Sequence, residues 1–319
     1  MLKMTLKWCL RRKAMKYLIT GSGYLATHLI RELLKSDDVE KIKVFSRAEK
    51  GQWELTKKFK DKRIELIIGD VRDALAINDA MKDVDYCIHT GAIKRIEVAE
   101  KQPMEAIKTN VIGSMNVINA CIANGVKKLI LISTDKATSA TTCYGSTKFL
   151  MECMGYANES DTAIISTRYG NVFGSTGSVV PIFDNLVKQG EPLTVRNGEM
   201  TRFFMPVEKC VNIVMDALEH GENGELWVYE SKSCSIKDLA DAFSDNQVVT
   251  GTESIEKNDE ALITVSELNH SKKYKDYFVI RKDYQSDVKY TEPLTSDTAQ
   301  RLTQDEIKQM IEDWRSANV

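Results

Sequence analysis

Within sixteen residues, Ser133-Thr134-Asp135-Lys136 and Tyr144-Gly145-Ser146-Thr147-Lys148 assemble a phenol, a carboxyl, two amines and several hydroxyls. Such a set suits proton transfer coupled to hydride movement at a hydroxyl-bearing carbon. Tyr144 and Lys148 are four apart and would share a helix face, where an ammonium draws a phenol pKa down from about 10. Asp135 and Lys136 supply a second acid/base pair, which plain alcohol oxidation does not need. An isolated Y-x-x-x-K is most often a surface pair on an amphipathic helix, and its surroundings reverse that reading here.

Those surroundings begin with Lys16-Tyr17-Leu18-Ile19-Thr20, an apolar strand that runs into Gly21-Ser22-Gly23-Tyr24-Leu25-Ala26 and a helix with apolar residues at 25, 29, 30, 33 and 34. This is the layout of a nucleotide-binding first strand–helix turn. Gly21 permits the tight bend, Gly23 lets the backbone approach a pyrophosphate, Ala26 allows close packing, and the helix N-terminus offers free N–H groups. Ser22, Tyr24 and Leu25 of the same turn join the expected cofactor contacts. The next strand, Ile42-Lys43-Val44-Phe45, ends on Ser46-Arg47, where an NAD site would carry Asp or Glu for the ribose. An arginine fork suits a 2′-phosphate, so NADP is the predicted cofactor.

The 319 residues are 43% hydrophobic and 28% charged, enough for a sizeable core in one large or two modest domains. A formal charge of −2, with no basic stripe and no nucleic-acid motif, argues against a nucleic-acid partner. Seven cysteines are scattered without C-x-x-C or metal spacing, which predicts reduced thiols in a cytoplasmic protein and no metal site. No run approaches the roughly 18 apolar residues that cross a bilayer, so no membrane association is expected. Residues 1–14 are basic and weakly amphipathic without a secretory core, and read as a disordered N-terminal extension.

Further along, apolar runs at 64–68, 86–89, 128–132 and 163–167 alternate with helix-periodic segments such as 104–124 and 145–158. This alternation predicts an α/β fold, a doubly wound parallel sheet of Rossmann type, as an NADP-binding domain over residues 15–170. Ligand would then sit at the carboxyl ends of the strands, where Gly21, Arg47, Asp70, Gly91 and Thr134 fall. Beyond 170, the glycine- and serine-rich stretch Gly170 to Ser178 is either an anion-binding turn or an ordinary connection. Residues 171–319 are expected to form a smaller C-terminal α/β substrate-binding region. Of these, roughly 201–230 should return to the main sheet, through a helix at 206–219 and a strand at 226–229. Helix patterns at 235–243 and 303–314 and strand patterns near 247–250 and 277–280 complete the chain.

Several blocks occur in one order over residues 15–245: Gly69 to Asp73, Lys108 to Gly113, Ser133 to Ala137, Tyr144 with Lys148, Arg168 to Val172, Gly177 to Pro181, and Met200 to Phe203. In these the chain resembles the extended short-chain dehydrogenase/reductase superfamily. Within it, the likeness is to the nucleotide-sugar 4,6-dehydratases of polysaccharide biosynthesis, above all the inverting UDP-N-acetylglucosamine 4,6-dehydratases.

The resemblance implies a hydro-lyase that oxidises a UDP-sugar at C4, eliminates water across C5 and C6, and returns the hydride to C6. It places Asp70 and Val71 at the adenine, and Gly91, Ala92, Lys94 and Asn110 along the cofactor. Thr134, Tyr144 and Lys148 fall on the nicotinamide side, and Asp135 with Lys136 at the elimination. In that reading a lysine with a depressed pKa, Lys136, takes the C5 proton while Asp135 protonates the departing C6 hydroxyl. Lys94, Asn171, Val179, Val180, Pro181 and Arg202 would hold the substrate, and relatives of this kind are usually homo-oligomers.

Two departures stand out. The glycine turn is one residue shorter than the usual T-G-x-x-G-x-x-G, and Glu253-Ser254-Ile255-Glu256-Lys257-Asn258-Asp259-Glu260 replaces R-P-G-E-K-x-x-E. A glutamate at 253 would repel a diphosphate, which predicts a weaker nucleotide grip there. The competing expectations are a nucleotide-sugar 4-epimerase, which needs no C5 base, and a non-catalytic NADP-binding protein on the same fold.

Overall fold

The computed structural model describes residues 14–251 and 257–317. Expectations for residues 1–13, and for Glu253 to Glu256, lie outside the described residues.

Six short apolar runs form the first strands: β1 (Met15–Thr20), β2 (Val39–Ser46), β3 (Ile64–Ile68), β4 (Tyr86–His89), β5 (Lys128–Ile132) and β6 (Ala163–Arg168). They lie in the order β3-β2-β1-β4-β5-β6, all parallel. Strands buried on both faces read as continuous apolar runs rather than alternating ones, which is why these segments stand out in the sequence. The strand Leu226–Tyr229 then adds in parallel beside β6. Two antiparallel strands, Tyr277–Ile280 and Ser271–Tyr274, close that edge and make nine in all.

Helices cover both faces. On one, Leu29, Ile30 and Leu33 of helix Tyr24–Leu33 pack with Cys210, Val211 and Val214 of helix Val207–His220. On the other, Ile77, Met81, Val117, Cys121 and Met151 cover the sheet. A third core lies apart from the sheet, where Val180 and Phe183 of helix Val179–Gln189 meet Leu193, Phe204, Leu239 and Ile307.

Three features depart from the sequence reading. The strand Thr201–Met205 is not in the main sheet; it pairs with Asn171–Val172 and Ser233–Ser235 in a small sheet of its own. The return to the main sheet is made by helix Val207–His220 and the strand Leu226–Tyr229. The helical segment 103–123 contains a π-helical turn, Ile107–Ile112, between α-helical parts. Finally, Glu49–Lys58 and Val179–Gln189 are helices that the sequence pattern does not announce. No helix among the described residues is long and apolar enough to cross a membrane.

Candidate active site

The carboxyl ends of β1, β2, β4 and β5 open onto one cleft of about 760 Å³. After β1 the chain turns at Gly21, whose φ of +90° lies in the left-handed region. A Cβ there would also stand 2.7 Å from the Thr90 hydroxyl oxygen. Gly23 precedes helix Tyr24–Leu33; among the described residues no side chain bonds its first N–H groups, and nothing lies within 4 Å of where its Cβ would be. The helix therefore presents bare N–H groups to open space, an arrangement that fits a pyrophosphate. Ser22, Tyr24 and Leu25 line the same wall. Ser22 Oγ is 2.9 Å from Ser46 Oγ, which ties the turn to the tip of β2.

Arg47 follows at the mouth, its side chain 51% exposed and its guanidinium 3.6 Å from Asp70 Oδ2. Asp70 is gripped by Arg72 through bonds of 2.8 and 2.6 Å. Burial alone would raise that carboxyl's pKa, but the Arg72 bonds and the Arg47 charge hold it below the usual range. Val71 lines the cleft, and so do Gly91, Ala92 and Lys94 after β4. Lys94 Nζ donates across the opening to the Thr176 carbonyl at 3.0 Å, and burial pulls its pKa down. Asn110 is fully buried. Its amide accepts from the Ile93 N–H (2.8 Å) and donates to the Ile93 carbonyl (2.9 Å) and Thr147 Oγ1 (3.0 Å).

β5 delivers Ser133 and Thr134, and Thr134 Oγ1 accepts the Lys136 N–H to start a short 3₁₀ turn, Asp135–Ala137. Helix Cys143–Tyr156 starts at Thr142, whose Oγ1 accepts the Gly145 N–H at 3.1 Å. Gly145 packs directly beneath that turn, since a Cβ on it would lie 2.1 Å from the Lys136 carbonyl oxygen. Tyr144, Thr134, Lys136 and Lys148 consequently face one part of the cleft. Burial raises the Tyr144 phenol, opposed by the Lys136 charge and a hydrogen bond with Thr134. Lys148 donates to the Ile132 carbonyl at 2.8 Å, and burial pushes its amine down to about 8 against the pull of Glu152.

Lys136 is the centre of a buried charge cluster. Its Nζ lies 3.0 Å from Asp135 Oδ1, 3.6 Å from Glu260 Oε1 and 3.5 Å from Asn171 Oδ1. Burial lowers its proton affinity, but Asp135 and Glu260 outweigh burial and raise it above the ordinary lysine value. Asp135 Oδ1 also accepts from Thr134 Oγ1 at 2.9 Å. Asp135 Oδ2 and Glu260 Oε2 are buried without a hydrogen-bond partner among the described residues.

Residues 17–282 match the family described as polysaccharide biosynthesis protein. The chain belongs to that family. It is an enzyme family of extended short-chain dehydrogenase/reductase type, comprising nucleotide-sugar dehydratases and epimerases. A protein named UDP-glucose 4-epimerase from Rickettsia massiliae is 37% identical over 318 residues, covering 91% of this chain and 93% of its own length. The crystal structure of Pen from Bacillus thuringiensis superposes with a TM-score of 0.88 at 30% identity, covering 94% of this chain and 99% of that one. DesIV from Streptomyces venezuelae, a dTDP-glucose 4,6-dehydratase solved with NAD, shares the fold with a TM-score of 0.74 at 16% identity, covering 95% and 98%.

In this family member the cleft brings together most of the residues singled out from sequence, but several of them stand differently. Lys148 is turned to a backbone carbonyl, and the cation acting on the Tyr144 phenol is Lys136. Lys136 has a raised rather than depressed proton affinity, because two carboxylates flank it. Asp135 is wholly buried and reaches the cleft only through Thr134 and Lys136. Asn110 holds the loop after β4 against the helix Cys143–Tyr156 instead of facing the cleft. Arg202 donates to the carbonyls of Thr201, Lys257 and Asn258 at 2.7 to 2.9 Å, which occupies the guanidinium expected on a diphosphate.

Asp70 likewise stands behind Arg72 and Arg47 and not on the wall. Val179 and Pro181 open helix Val179–Gln189, while Val180 is buried in its core; Gly177, Ser178 and Ile182 are what that segment shows the cleft. Sequence reasoning missed Thr90 and Glu260 as site residues. Glu260 lay inside a block read for its departures, and no spacing rule could place a residue 124 positions from Lys136 beside it.

Proposed function

We propose that this chain is an NADP-dependent nucleotide-sugar 4,6-dehydratase, taking UDP-N-acetylglucosamine to a 4-keto-6-deoxy sugar with inversion at C5. The observation that carries the reading is Lys136, which lines the cleft beside Tyr144 with Asp135 at 3.0 Å behind it. A Tyr–Lys–Thr set is enough for reversible oxidation at C4; a second buried amine–carboxyl pair provides for proton traffic at C5 and C6.

When bound, the nicotinamide would accept hydride from C4 and return it at C6. Thr134 would hold the C4 hydroxyl while Tyr144 takes its proton, helped by the Lys136 charge. Passing a proton from Lys136 Nζ to Asp135 Oδ1 leaves an amine and a carboxylic acid with no net change of charge. The amine can then take the C5 proton, acidified by the C4 ketone, and the regained proton serves the departing C6 hydroxyl. The proton held on Asp135 can then return through Lys136 to C5, and inversion requires the planar enolate to present its other face to the amine before that proton arrives. Arg47 supports NADP over NAD, because a guanidinium and no carboxylate stands at the tip of β2. The open N-terminus of helix Val179–Gln189, with Gly177 and Ser178 on the cleft, supports a diphosphate on the substrate side.

The 4-epimerase reading is favoured by the name of the Rickettsia relatives. Incubation with UDP-N-acetylglucosamine and UDP-glucose in deuterated water separates the two. Dehydration gives a product lighter by water with deuterium at C5 and L-arabino proton couplings. Original D-xylo couplings would keep the dehydratase and remove the inversion, whereas a C4 epimer of unchanged mass would replace this reading by the epimerase. Tyr144→Phe should abolish transient NADPH absorbance in a single turnover, and Lys136→Ala should retain some of that absorbance, reduced by loss of the charge beside the phenol, but lose no water from the sugar. Arg47→Glu should weaken NADP much more than NAD; equal weakening would take Arg47 out of the 2′-phosphate role.

A cytoplasmic setting and a homo-oligomer belong to the same proposal. Apolar Ile112, Met115 and Ile122, together with Phe149 and Leu150, are exposed on the helical segment 103–123 and helix Cys143–Tyr156, faces that a second copy would cover. Sedimentation that returned a monomer at micromolar concentration would remove the oligomer.

A further inference from the structure

Lys136 has a second carboxylate behind it, brought from a part of the chain far away in sequence. Glu260 is 5% exposed and absent from the cleft wall, so substrate meets Lys136 and not Glu260. Its backbone is pinned from both sides by one residue. The Glu260 N–H donates to Ser296 Oγ at 2.9 Å, and the Ser296 N–H donates to the Glu260 carbonyl at 2.8 Å. Ser296 Oγ in turn lies 2.6 Å from Thr201 Oγ1, one residue before Arg202. The following strand, Ala261–Ile263, pairs with Leu294–Thr295, and its Leu262 carbonyl accepts from Thr138 Oγ1 at the end of the Lys136 turn. Substantial local structure therefore serves to hold one carboxylate 3.6 Å from Lys136 Nζ.

We propose that Glu260 is a positioning residue for Lys136: its carboxylate holds the amine at the cleft wall and keeps it charged in the resting site, so that the proton needed at C5 after elimination is already in place. The charged groups that bear on the pair support this balance. Asp135 and Glu260 face Lys136 with negative charge, while Arg202 opposes its protonation. Burial and the Asp135 charge raise the Glu260 carboxyl above its ordinary range, opposed by the charges of Lys136, Arg202 and Lys257, the last 4.0 Å from Glu260 Oε2. Asp259, the neighbour in sequence, is turned away and accepts from Thr201 Oγ1 at 2.7 Å.

The inference rests on Lys136 as a reacting group, and the experiment separates that assumption from the role of Glu260. Protein labelled with ¹³C at the lysine Cε would be titrated by NMR, with the Lys136 resonance identified by its loss in Lys136→Met. Glu260→Gln, which removes the charge but keeps the shape, should lower the Lys136 pKa by about one unit or more, a tenfold loss of proton affinity. Glu260→Asp should keep the pKa near the wild-type value, and it stands as the second variant should Glu260→Gln not fold. In turnover, the pH profile of kcat for Glu260→Gln should shift to lower pH by the same amount with KM little changed. An unchanged Lys136 pKa in Glu260→Gln, or an Asp variant that titrates far from wild type, overturns the proposal whatever reaction the enzyme runs. A shifted pKa with no water lost from any UDP-sugar would keep the role of Glu260 and remove the dehydratase instead.

Discussion

Lys148 illustrates how this site sets function against stability at the level of one residue. Its amine is enclosed, donates to a single carbonyl, and titrates near 8 instead of 10.5 because burial penalises the charge. Between those values the unfolded chain holds a proton that the folded one does not, so stability rises as pH climbs through that window. Below pH 8 the charge is present in both states and the folded protein bears the whole penalty, on the order of 3 kcal/mol from a shift of this size. Lys148→Met should accordingly stabilise the cofactor-free protein at pH 7 by roughly 1–3 kcal/mol, the lost Ile132 hydrogen bond offsetting part of the gain. The gain should shrink as pH is raised from 8 toward 10.5. Urea denaturation at pH 7 and pH 10 measures it, and a methionine variant less stable than wild type at pH 7 would show that the charge is better solvated than its burial implies.

At the level of elements, the site depends on one helix start meeting one turn. The Cys143–Tyr156 helix carries Tyr144 and Lys148, and Gly145 in its first turn lets the Asp135–Ala137 turn lie against it. Gly→Ala in an exposed helix normally stabilises by about 1 kcal/mol. Here the added Cβ would meet the Lys136 carbonyl at 2.1 Å, closer than any contact that side-chain motion could relieve. Gly145→Ala should therefore destabilise by about 1–3 kcal/mol and lower kcat at least tenfold by moving Lys136, with NADP affinity less affected. A rise in melting temperature with normal kcat would show that the turn and the helix can part without consequence.

Elements differ in how far the sequence makes them legible, and the burial of each decides it. β1 to β6 are apolar because both sheet faces are covered, and the glycine turn announces itself by residue type. Helix Glu49–Lys58 buries only Gln52 and Leu55 and carries Gly51, so it leaves little periodic trace. Helix Val179–Gln189 was hidden by the glycines before it and by Pro181 in its first turn, which is a permitted place for proline. Ser271–Tyr274 is a lysine-bearing edge strand whose pairing is decided by Tyr277–Ile280. Within the site, the members adjacent in sequence could be read, while Glu260 and the rotation of Lys148 depend on tertiary packing.

For the whole molecule, the sheet and the C-terminal region are joined by a buried ion cluster. Arg168, at the end of β6, is 1% exposed and gives two bonds to Glu152 at 3.0 and 2.6 Å. It also reaches Glu267 at 2.9 Å and the Leu262 carbonyl at 3.1 Å. Glu152 belongs to the helix of Tyr144, Glu267 caps helix Val265–Asn269 through Thr264, and Leu262 stands two residues from Glu260. One guanidinium thus links the helix of Tyr144 and Lys148 to the segment that carries Glu260. Burial by itself would raise the Glu267 carboxyl, but Arg168 and the Thr264 bonds hold it below the usual range. A carboxylate depressed in this way contributes stability that is complete above its unfolded value, near 4.5, and is lost as pH falls through the lower folded value. Glu267→Gln leaves Arg168 with Glu152 alone and should cost on the order of 3 kcal/mol at pH 7. It should also lose less on acidification than wild type does, so the two unfolding curves approach one another as pH falls below 4.5. Because the Leu262 strand loosens with the cluster, kcat should fall along with stability and Tyr144-dependent oxidation should survive better than water loss. Thermal unfolding at pH 7 and pH 4, with single-turnover absorbance on the same variant, tests both halves. A variant that is destabilised yet eliminates water at the wild-type rate would confine the cluster to holding the fold.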